Sequence, residues 1–199
     1  MVCDSEDAVW IAADGRLLHH KNGTYQVFGI NDGLPENTLY CLETDEAGGV
    51  WVGTRTAAAG RFDGFQWKIV GPAAGFPGNY ENRVYQDRAG YLWVGSNTDG
   101  GVSRFNGSSW TNFSSASTLG GLPSDIVYDI HQDLSGKYWF ATRGGIASWD
   151  SASGNWLPLY ASGSTFPSDT VLTISEDPDG SLWFATNGGA AKRAPTGEW

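Results

Sequence analysis

Histidine is the side chain whose unperturbed pKa best suits acid–base chemistry near neutral pH, and the chain contains His19, His20 and His131. Adjacent residues of a strand face opposite sides, so His19 and His20 cannot bind one metal ion together from a strand. No cysteine and histidine cluster accompanies them, and no zinc site is predicted. His131 lies on the predicted innermost strand of its sheet, where a central site could form, but the chain has no Gly-x-Ser-x-Gly nucleophile elbow. We interpret His131 as a polar residue at a strand end and predict no catalytic residue.

A second pattern recurs five times along the chain, each time with a tryptophan that opens a short apolar run. The tryptophans are Trp10, Trp51, Trp93, Trp139 and Trp183, at spacings of 41, 42, 46 and 44 residues. An aspartate stands six positions before each of them, at Asp4, Asp45, Asp87, Asp133 and Asp177. A glycine stands three positions before four of the tryptophans, and Asp7 takes that place in the first copy. Aspartate followed three residues later by glycine is typical of a tight turn.

The last of these turns, Asp177-Pro178-Asp179-Gly180, resembles the start of a calcium-binding loop because two carboxylates stand two residues apart before a glycine. The remaining ligands of an EF-hand loop are absent. The hairpin interpretation accounts for all five copies together, so we predict a structural turn. Neither a metal site nor a cofactor is predicted.

Each repeat is predicted to form four short antiparallel strands and no helix. An apolar strand precedes the aspartate turn, the tryptophan opens the second strand, and a glycine-rich loop leads to the third. Pairs such as Asn22-Gly23, Asp63-Gly64 and Asn106-Gly107 then mark a hairpin turn, because they supply positive φ angles. Four strands in about 43 residues is the size of a β-propeller blade. We expect the repeated tryptophans to lie between blades.

The predicted fold is therefore all-β, a β-propeller of about five four-stranded blade units in one domain that spans residues 1–199. The approximate blade units are residues 1–30, 31–72, 73–116, 117–162 and 163–199. The first and last units are incomplete, because the first begins near Asp4 and the last stops at Trp199. Such a chain closes as a five-bladed ring, or it forms part of a larger ring. A third alternative is a homo-oligomer, because unpaired edge strands recruit other chains.

Charge and hydropathy exclude several classes of partner. The chain has 12 basic and 22 acidic residues, a formal net charge of −10, which repels nucleic acid and anionic lipid surfaces. No apolar run reaches the length of a membrane helix, so no membrane insertion is predicted. The first seven residues lack the basic and apolar regions of a signal peptide, and none is predicted.

Two loops of each blade carry the candidate ligand-binding residues. The loop before the first strand contains Asn37, Asn79, Asp125 and Asp169, and the loop after the second strand contains Arg55, Asn97, Arg143 and Asn187. In a propeller both loops emerge on one face, beside the central channel, with Tyr40, Tyr80 and Tyr128 nearby. Amides and carboxylates hydrogen-bond hydroxyl groups, and aromatic rings stack on sugar C–H groups. This face is predicted to bind a neutral polar ligand. In the alternative interpretation these side chains satisfy turn backbone, and Asp125 pairs with Arg143 within a blade.

The repeats also support a family resemblance. Gly33-Leu34-Pro35-Glu36-Asn37, Gly75-Phe76-Pro77-Gly78-Asn79, Gly121-Leu122-Pro123-Ser124-Asp125 and Thr165-Phe166-Pro167-Ser168-Asp169 each precede a first strand. Together with the Asp-x-x-Gly-x-x-Trp-x-Gly-Thr core, they resemble the two-component regulator propeller repeat. The resemblance implies an extracytoplasmic sensor region for a ligand, often a carbohydrate, and a periplasmic or extracellular location.

A weaker similarity connects the last unit, Trp183-Phe184-Ala185-Thr186-Asn187 and Ala194-Pro195-Thr196-Gly197-Glu198, to streptogramin-lyase-like propellers. That similarity would make His131 the candidate general base. Because no catalytic residue is predicted and the regulator propeller resemblance is the stronger one, we expect a non-catalytic module that binds a polar small molecule, an oligosaccharide or a protein. The alternatives are a self-assembling propeller that pairs through its strand edges and a lyase-like propeller enzyme.

Overall fold

The structure is a computed structural model that describes residues 1–4, 6–13, 15–36, 38–45, 47–55, 59–71, 81–159 and 166–199. Within these residues nineteen strands form five antiparallel sheets. The first sheet contains β1 (Val2–Cys3), β2 (Val9–Ala13), β3 (Arg16–Lys21) and β4 (Thr24–Phe28). The second contains β5 (Leu39–Thr44), β6 (Val50–Thr54), β7 (Ala59–Phe62) and β8 (Trp67–Val70). The third contains β9 (Glu81–Gln86), β10 (Leu92–Ser96), β11 (Val102–Phe105) and β12 (Trp110–Phe113).

The fourth sheet contains β13 (Val127–Gln132), β14 (Tyr138–Thr142), β15 (Gly145–Asp150) and β16 (Asn155–Leu159). The fifth contains β17 (Val171–Glu176), β18 (Leu182–Thr186) and β19 (Gly189–Arg193). Strands follow one another in sequence order across each sheet, as in a propeller blade. The predicted all-β fold is confirmed, with a first sheet that opens on a two-residue strand and a last sheet of three described strands. The one helical element among the described residues is a short 3-10 turn, Ile30–Asp32, and no helix there is long and apolar enough to cross a membrane.

The chain forms two compact units. The first consists of Met1–Val94 and Ser103–Thr111, and the second of Gly95–Val102 and Asn112–Trp199. The first and second sheets belong to the first unit, and the fourth and fifth sheets belong to the second. The third sheet contributes residues to both. The division into five blade units by residue number stays a prediction.

The repeated aspartate builds the turn between the first and second strands of each sheet. In the fourth sheet Asp133 Oδ1 accepts a hydrogen bond from the Lys137 backbone N–H at 3.0 Å, and the Gly136 N–H bonds to the Asp133 carbonyl oxygen at 2.8 Å. Gly136 has a φ of 90°, a left-handed conformation that glycine adopts without strain. Asp7, which replaces glycine in the first copy, has a φ of 60°. The turn prediction is confirmed, and the first copy carries a strained residue.

The same aspartate also explains the fixed spacing to the tryptophan. Its second carboxylate oxygen accepts a hydrogen bond from the indole Nε1 in all five sheets. The distances are 2.8 Å for Trp10, 3.1 Å for Trp51, 2.7 Å for Trp93, 2.7 Å for Trp139 and 2.8 Å for Trp183. In the first four sheets the same carboxylate also accepts hydrogen bonds from the turn backbone and so holds both the turn and the ring, which the turn interpretation alone did not predict. In the fifth turn Asp179 accepts the backbone bond from Ser181 instead.

Three of the repeated tryptophans pack against the sheet that follows them in the chain. Trp10 belongs to a core cluster with Leu42 and Val52 of the second sheet, and Trp51 to a cluster with Val84 and Leu92 of the third. The cluster around Trp139 is formed by side chains of the fourth and fifth sheets, among them Ile146, Val171, Ile174 and Phe184. The predicted position between blades is confirmed for these three rings.

Trp183 does not follow this pattern. Its side chain is 40% exposed, whereas Trp139 is 1% exposed at the same place in the preceding sheet. Trp183 lies on the fifth sheet, and its ring is contacted by Lys192 with the ammonium 5.0 Å from the ring centroid. The expectation that all five rings lie between blades is therefore wrong for Trp183.

Candidate ligand-binding surface

Six of the nine predicted ligand-binding residues belong to the second unit, and we call them the loop surface. They are Asn97, Asp125, Tyr128, Arg143, Asp169 and Asn187. Arg55 is exposed and belongs to the first unit. Asn37 and Asn79 lie outside the described residues, as does the neighbouring Tyr80.

Backbone hydrogen bonds join the two predicted loops within the fourth and fifth sheets. The Arg143 N–H donates to the carbonyl oxygen of Ile126 at 3.1 Å, one residue after Asp125. The Asn187 N–H donates in the same way to Thr170 at 3.2 Å, one residue after Asp169. The loop before the first strand and the loop after the second strand therefore adjoin, as predicted from the propeller geometry.

Further hydrogen bonds connect one sheet's loops to the next. The Thr170 hydroxyl donates to the Arg143 carbonyl oxygen at 3.3 Å, which links the fifth sheet to the fourth. The Gly101 N–H donates to the Asp125 carbonyl oxygen at 2.8 Å, and Gly101 closes the loop that contains Asn97. The loop surface is thus one continuous row held by backbone hydrogen bonds and by the Thr170 hydroxyl.

Glycines allow these loops to approach each other closely. Gly144 follows Arg143, and a Cβ atom there would lie 2.8 Å from the carbonyl oxygen of Pro123. Gly188 follows Asn187 and approaches the Pro167 carbonyl even more closely. This contact explains why a glycine pair and a proline segment occur together in these two repeats.

Four side chains of the loop surface are exposed and form no hydrogen bond with the described residues. They are Asn97, Arg143, Asp169 and Asn187. Their amide, guanidinium and carboxylate groups offer both donors and acceptors to a ligand. The alternative that these side chains satisfy the turn backbone is not observed for these four in the described part of the chain.

Asp125 differs from the other four. Its carboxylate accepts hydrogen bonds from the Ser115 backbone N–H at 2.6 Å and from the Ser115 hydroxyl at 3.0 Å, and the residue is half-buried. No ion pair between Asp125 and Arg143 is found among the described residues. The carboxylate therefore anchors the loop that precedes the fourth sheet, and the guanidinium of Arg143 stays exposed.

Tyr128 occupies a β-bulge, which the sequence did not predict. The register between β13 and β14 shifts between Val127 and Asp129, so that Tyr128 is the extra residue. Its two neighbours are buried, whereas Tyr128 is half-buried. A bulge redirects a side chain and bends its strand. Tyr40 occupies the corresponding bulge of β5 and is 48% exposed.

Asp129 is a buried carboxylate that joins two sheets, and the sequence analysis did not identify it. It is 6% exposed, and its Oδ2 accepts hydrogen bonds from the Thr173 hydroxyl and the Ile174 backbone N–H, both at 2.8 Å. The signal in the sequence was a single aspartate among the apolar and aromatic residues 126–130, a position where a buried carboxylate needs hydrogen-bond donors. These bonds fix β13 to β17 directly beside the bulge that carries Tyr128.

His131 also connects the fourth and fifth sheets. Its Nε2 lies 3.0 Å from Glu176 Oε2, and the same carboxylate accepts a hydrogen bond from the Leu134 backbone N–H at 3.0 Å. The histidine thus has a carboxylate partner from the next sheet, which the strand-end interpretation did not include. Within the described residues no group of three or more histidine, cysteine or acidic side chains could hold a metal ion.

Three large cavities lie away from the loop surface. A cavity of about 590 Å³ is lined by Arg16, Val27 and Ile30, and one of about 440 Å³ contains Trp10 and His19 in its wall. The third, of about 470 Å³, is lined by residues of the fourth and fifth sheets. None of these three cavities is lined by a residue of the loop surface.

Three segments of the chain match the family model described as two component regulator propeller, namely residues 33–56, 75–98 and 165–188. In the sequence, each segment begins with a proline-containing stretch and ends just after the polar residue that stands four positions after the repeated tryptophan. The matched segments therefore contain the candidate pairs Asn37 and Arg55, Asn79 and Asn97, and Asp169 and Asn187. No curated protein sequence matches the chain.

Several solved structures share the fold. The extracellular domain of BT3049, assigned to a hybrid two component system of B. thetaiotaomicron, superposes with a TM-score of 0.78 at 21% identity, over 96% of this chain and 27% of that one. The extracellular domain of BT4673 of the same organism, assigned to a one component system, has a TM-score of 0.76 at 19% identity, over 100% and 30%.

A catalytically inactive virginiamycin B lyase from Staphylococcus aureus, solved with quinupristin, has a TM-score of 0.73 at 16% identity, over 97% of this chain and 68% of that one. The chain spans less than a third of the length of the two extracellular domains. These identities show a common fold. The chain thus has a β-propeller fold, and three of its segments are similar to the two component regulator propeller repeat.

Proposed function

We propose that the chain is a non-catalytic sensor-type module that binds a neutral oligosaccharide on the loop surface. The observation that carries this proposal is the set of four exposed polar side chains, Asn97, Arg143, Asp169 and Asn187, without hydrogen-bond partners among the described residues. They stand on loops whose backbones are hydrogen-bonded to one another. Binding to such a surface orders few additional groups, which favours affinity.

The chemistry of the surface suits hydroxyl groups. Amide and carboxylate oxygens accept hydrogen bonds from sugar hydroxyls, and the amide and guanidinium N–H groups donate to them. Tyr128 adds an aromatic ring, redirected by its bulge, that can pack on the apolar face of a sugar. The surface carries one guanidinium and two carboxylates, one of which is bonded to Ser115, so it lacks the excess of positive charge that an anionic ligand requires.

The similar extracellular domains of B. thetaiotaomicron support a sensing role and a location outside the cytoplasm. His131 supports the non-catalytic part of the proposal by its position, because it contacts Glu176 of the next sheet and no loop-surface residue among the described contacts. A lyase-like reaction on the loop surface would need a general base within hydrogen-bond reach of the bound ligand.

The test measures the binding of neutral oligosaccharides to the full chain by calorimetry and thermal shift. Cellohexaose, xylohexaose, maltohexaose and galactohexaose serve as probes. We expect one of them to bind the wild type and the Arg143→Ala, Asn187→Ala double variant to lose this binding while its melting temperature stays unchanged.

The matched control removes one cation and one amide elsewhere, at Lys68 and Asn155, which are both exposed. The Lys68→Ala, Asn155→Ala variant should bind as the wild type does. Binding retained by the Arg143 and Asn187 double variant, or no binding of any of the neutral probes to the wild type, would refute the proposal.

A further inference from the structure

The cavity of about 470 Å³ lies within the second unit, at the aspartate turns of the fourth and fifth sheets. Lys137, which lines it, precedes β14, whereas Arg143 of the loop surface follows β14, so the cavity and the loop surface lie at opposite ends of this strand. Its wall also contains Trp139, Glu176 and Arg193. Its volume is within the range of small-molecule sites.

Two cations of this cavity cover one indole ring. The Arg193 guanidinium carbon lies 5.1 Å from the centroid of Trp139 and 5.9 Å from that of Trp199, and the Lys137 ammonium lies 5.7 Å from Trp139. Both residues are half-buried. Neither forms an ion pair or a side-chain hydrogen bond with a described residue.

In two other sheets the third-strand residue opposite the repeated tryptophan is a cation that has a carboxylate partner. Arg61 pairs with Asp45 at 2.6 Å in the second sheet, and Lys192 lies 3.4 Å from Asp177 in the fifth. In the fourth sheet the third-strand residue opposite Trp139 is Ser148, and the cations come from Lys137 and Arg193 instead. Unlike Arg61 and Lys192, neither Lys137 nor Arg193 forms an ion pair within 4 Å among the described residues, although Lys137 interacts electrostatically with Asp150 at longer range.

The carboxylates of the cavity are already hydrogen-bonded. Asp133 accepts bonds from the Trp139 indole at 2.7 Å and from the Lys137 backbone at 3.0 Å. Glu176 accepts bonds from His131 and from the Leu134 backbone. The charged groups of the cavity without a hydrogen-bond partner among the described residues are thus Lys137 and Arg193, whereas the Asp179 carboxylate accepts hydrogen bonds from the Ser181 backbone at 2.8 Å and from the Ser181 side chain.

We propose that this cavity binds a small sugar acid, with the carboxylate of the ligand on Arg193 and Lys137. The planar guanidinium presents paired N–H donors that match a carboxylate, and its stacking on two rings fixes its orientation. The Asp179 carboxylate, which also lines the cavity, has lone pairs that accept a further hydrogen bond from a sugar hydroxyl. A cavity of this size accommodates one or two sugar rings, whereas an acidic peptide would extend beyond it.

The test measures binding of galacturonate to the full chain by calorimetry, with galactose and acetate as the comparison ligands. Galactose lacks the carboxylate and acetate lacks the sugar ring, so both should bind at least tenfold more weakly than galacturonate. Arg193→Gln and Lys137→Gln should each weaken galacturonate binding about tenfold or more, because each removes a charge-assisted hydrogen bond.

Lys192→Gln is the matched control, because Lys192 neighbours Arg193 on β19 and its side chain faces the opposite side of the sheet. It should leave galacturonate binding unchanged. The Arg143→Ala, Asn187→Ala double variant should also bind galacturonate normally, which separates this site from the loop surface.

Three results would overturn the proposal. The first is no galacturonate binding to the wild type at about 10 mM, a concentration that detects even millimolar affinity. The second is equal binding of galactose or acetate. The third is wild-type affinity in Lys137→Gln and in Arg193→Gln, and since either variant alone tests the site, a folding defect in one leaves the other decisive.

Discussion

Truncation of two equivalent tryptophans should have very different effects on stability. Trp139 is 1% exposed and packs between the fourth and fifth sheets, whereas Trp183 is 40% exposed on the fifth. Trp139→Ala removes a buried ring and leaves a cavity, which costs about 3–5 kcal/mol of unfolding free energy. Trp183→Ala loses a partly exposed ring and one hydrogen bond to Asp177, which costs about 1–2 kcal/mol.

Urea unfolding followed by far-ultraviolet circular dichroism measures both losses, and calorimetry gives the melting temperatures. For a chain of this length 1 kcal/mol lowers the melting temperature by about 2–4 °C. We expect a decrease of about 6–20 °C for Trp139→Ala and about 2–8 °C for Trp183→Ala. Trp93→Ala should resemble Trp139→Ala, because Trp93 is also fully buried.

A Trp139→Phe variant separates packing from hydrogen bonding. It retains an aromatic ring but removes the indole N–H that Asp133 accepts at 2.7 Å. Its loss should lie between those of the two alanine variants, because a buried carboxylate oxygen loses its donor. An unchanged melting temperature for Trp139→Ala, or equal losses for Trp139→Ala and Trp183→Ala, would refute the placement of this ring between blades.

Two further predictions concern the aspartate turns, and a third concerns the close loop contact. Asp7→Gly should raise the unfolding free energy by about 0.5–1 kcal/mol in urea titrations, because glycine adopts the φ of 60° at this position without strain; a decrease would contradict the turn geometry. Burial by itself would raise the pKa of Asp45. Hydrogen bonds from the Arg61 side chain and from the backbone have the larger combined effect, so the pKa of Asp45 lies below its usual value. A carboxyl with a lowered pKa stabilises the fold above its unfolded pKa of about 4 and loses this contribution as the pH falls through its folded pKa. Arg61→Gln should therefore be less stable than wild type at neutral pH, with a difference that narrows in melting experiments below about pH 4; a constant difference would count against the ion pair. Gly188→Ala should lower the melting temperature, because its Cβ would collide with the Pro167 carbonyl, and a normal melting temperature would show that the loops do not adjoin this closely.

The amino-acid sequence by itself determined the repeat, the strands and the turns. These features are local, because the aspartate bonds to backbone groups within four residues and to a tryptophan six residues away. The Asn22-Gly23 turn is equally local, with φ angles of 51° and 76°. Side chains that hydrogen-bond their own hairpin leave a fixed spacing in the sequence, and this spacing also carries the match to the regulator propeller family.

The candidate surface could be predicted only in part. The sequence placed Arg143 and Asn187 on loops that adjoin the first-strand loops, and the backbone hydrogen bonds agree with that geometry. It did not distinguish Asp125, whose carboxylate bonds to Ser115, from Asp169, which is exposed. The two residues occupy the same repeat position, and only the path of the preceding loop separates their roles.

Only the tertiary structure decided which equivalent residues are buried, paired or free. The bonds from Asp129 to Thr173 and from His131 to Glu176 join residues more than forty positions apart, and they depend on how two sheets meet. The same dependence separates the buried Trp139 from the exposed Trp183. A repeat encodes each blade through short-range contacts, whereas burial and pairing at its faces depend on the neighbouring sheet, which the local pattern does not specify.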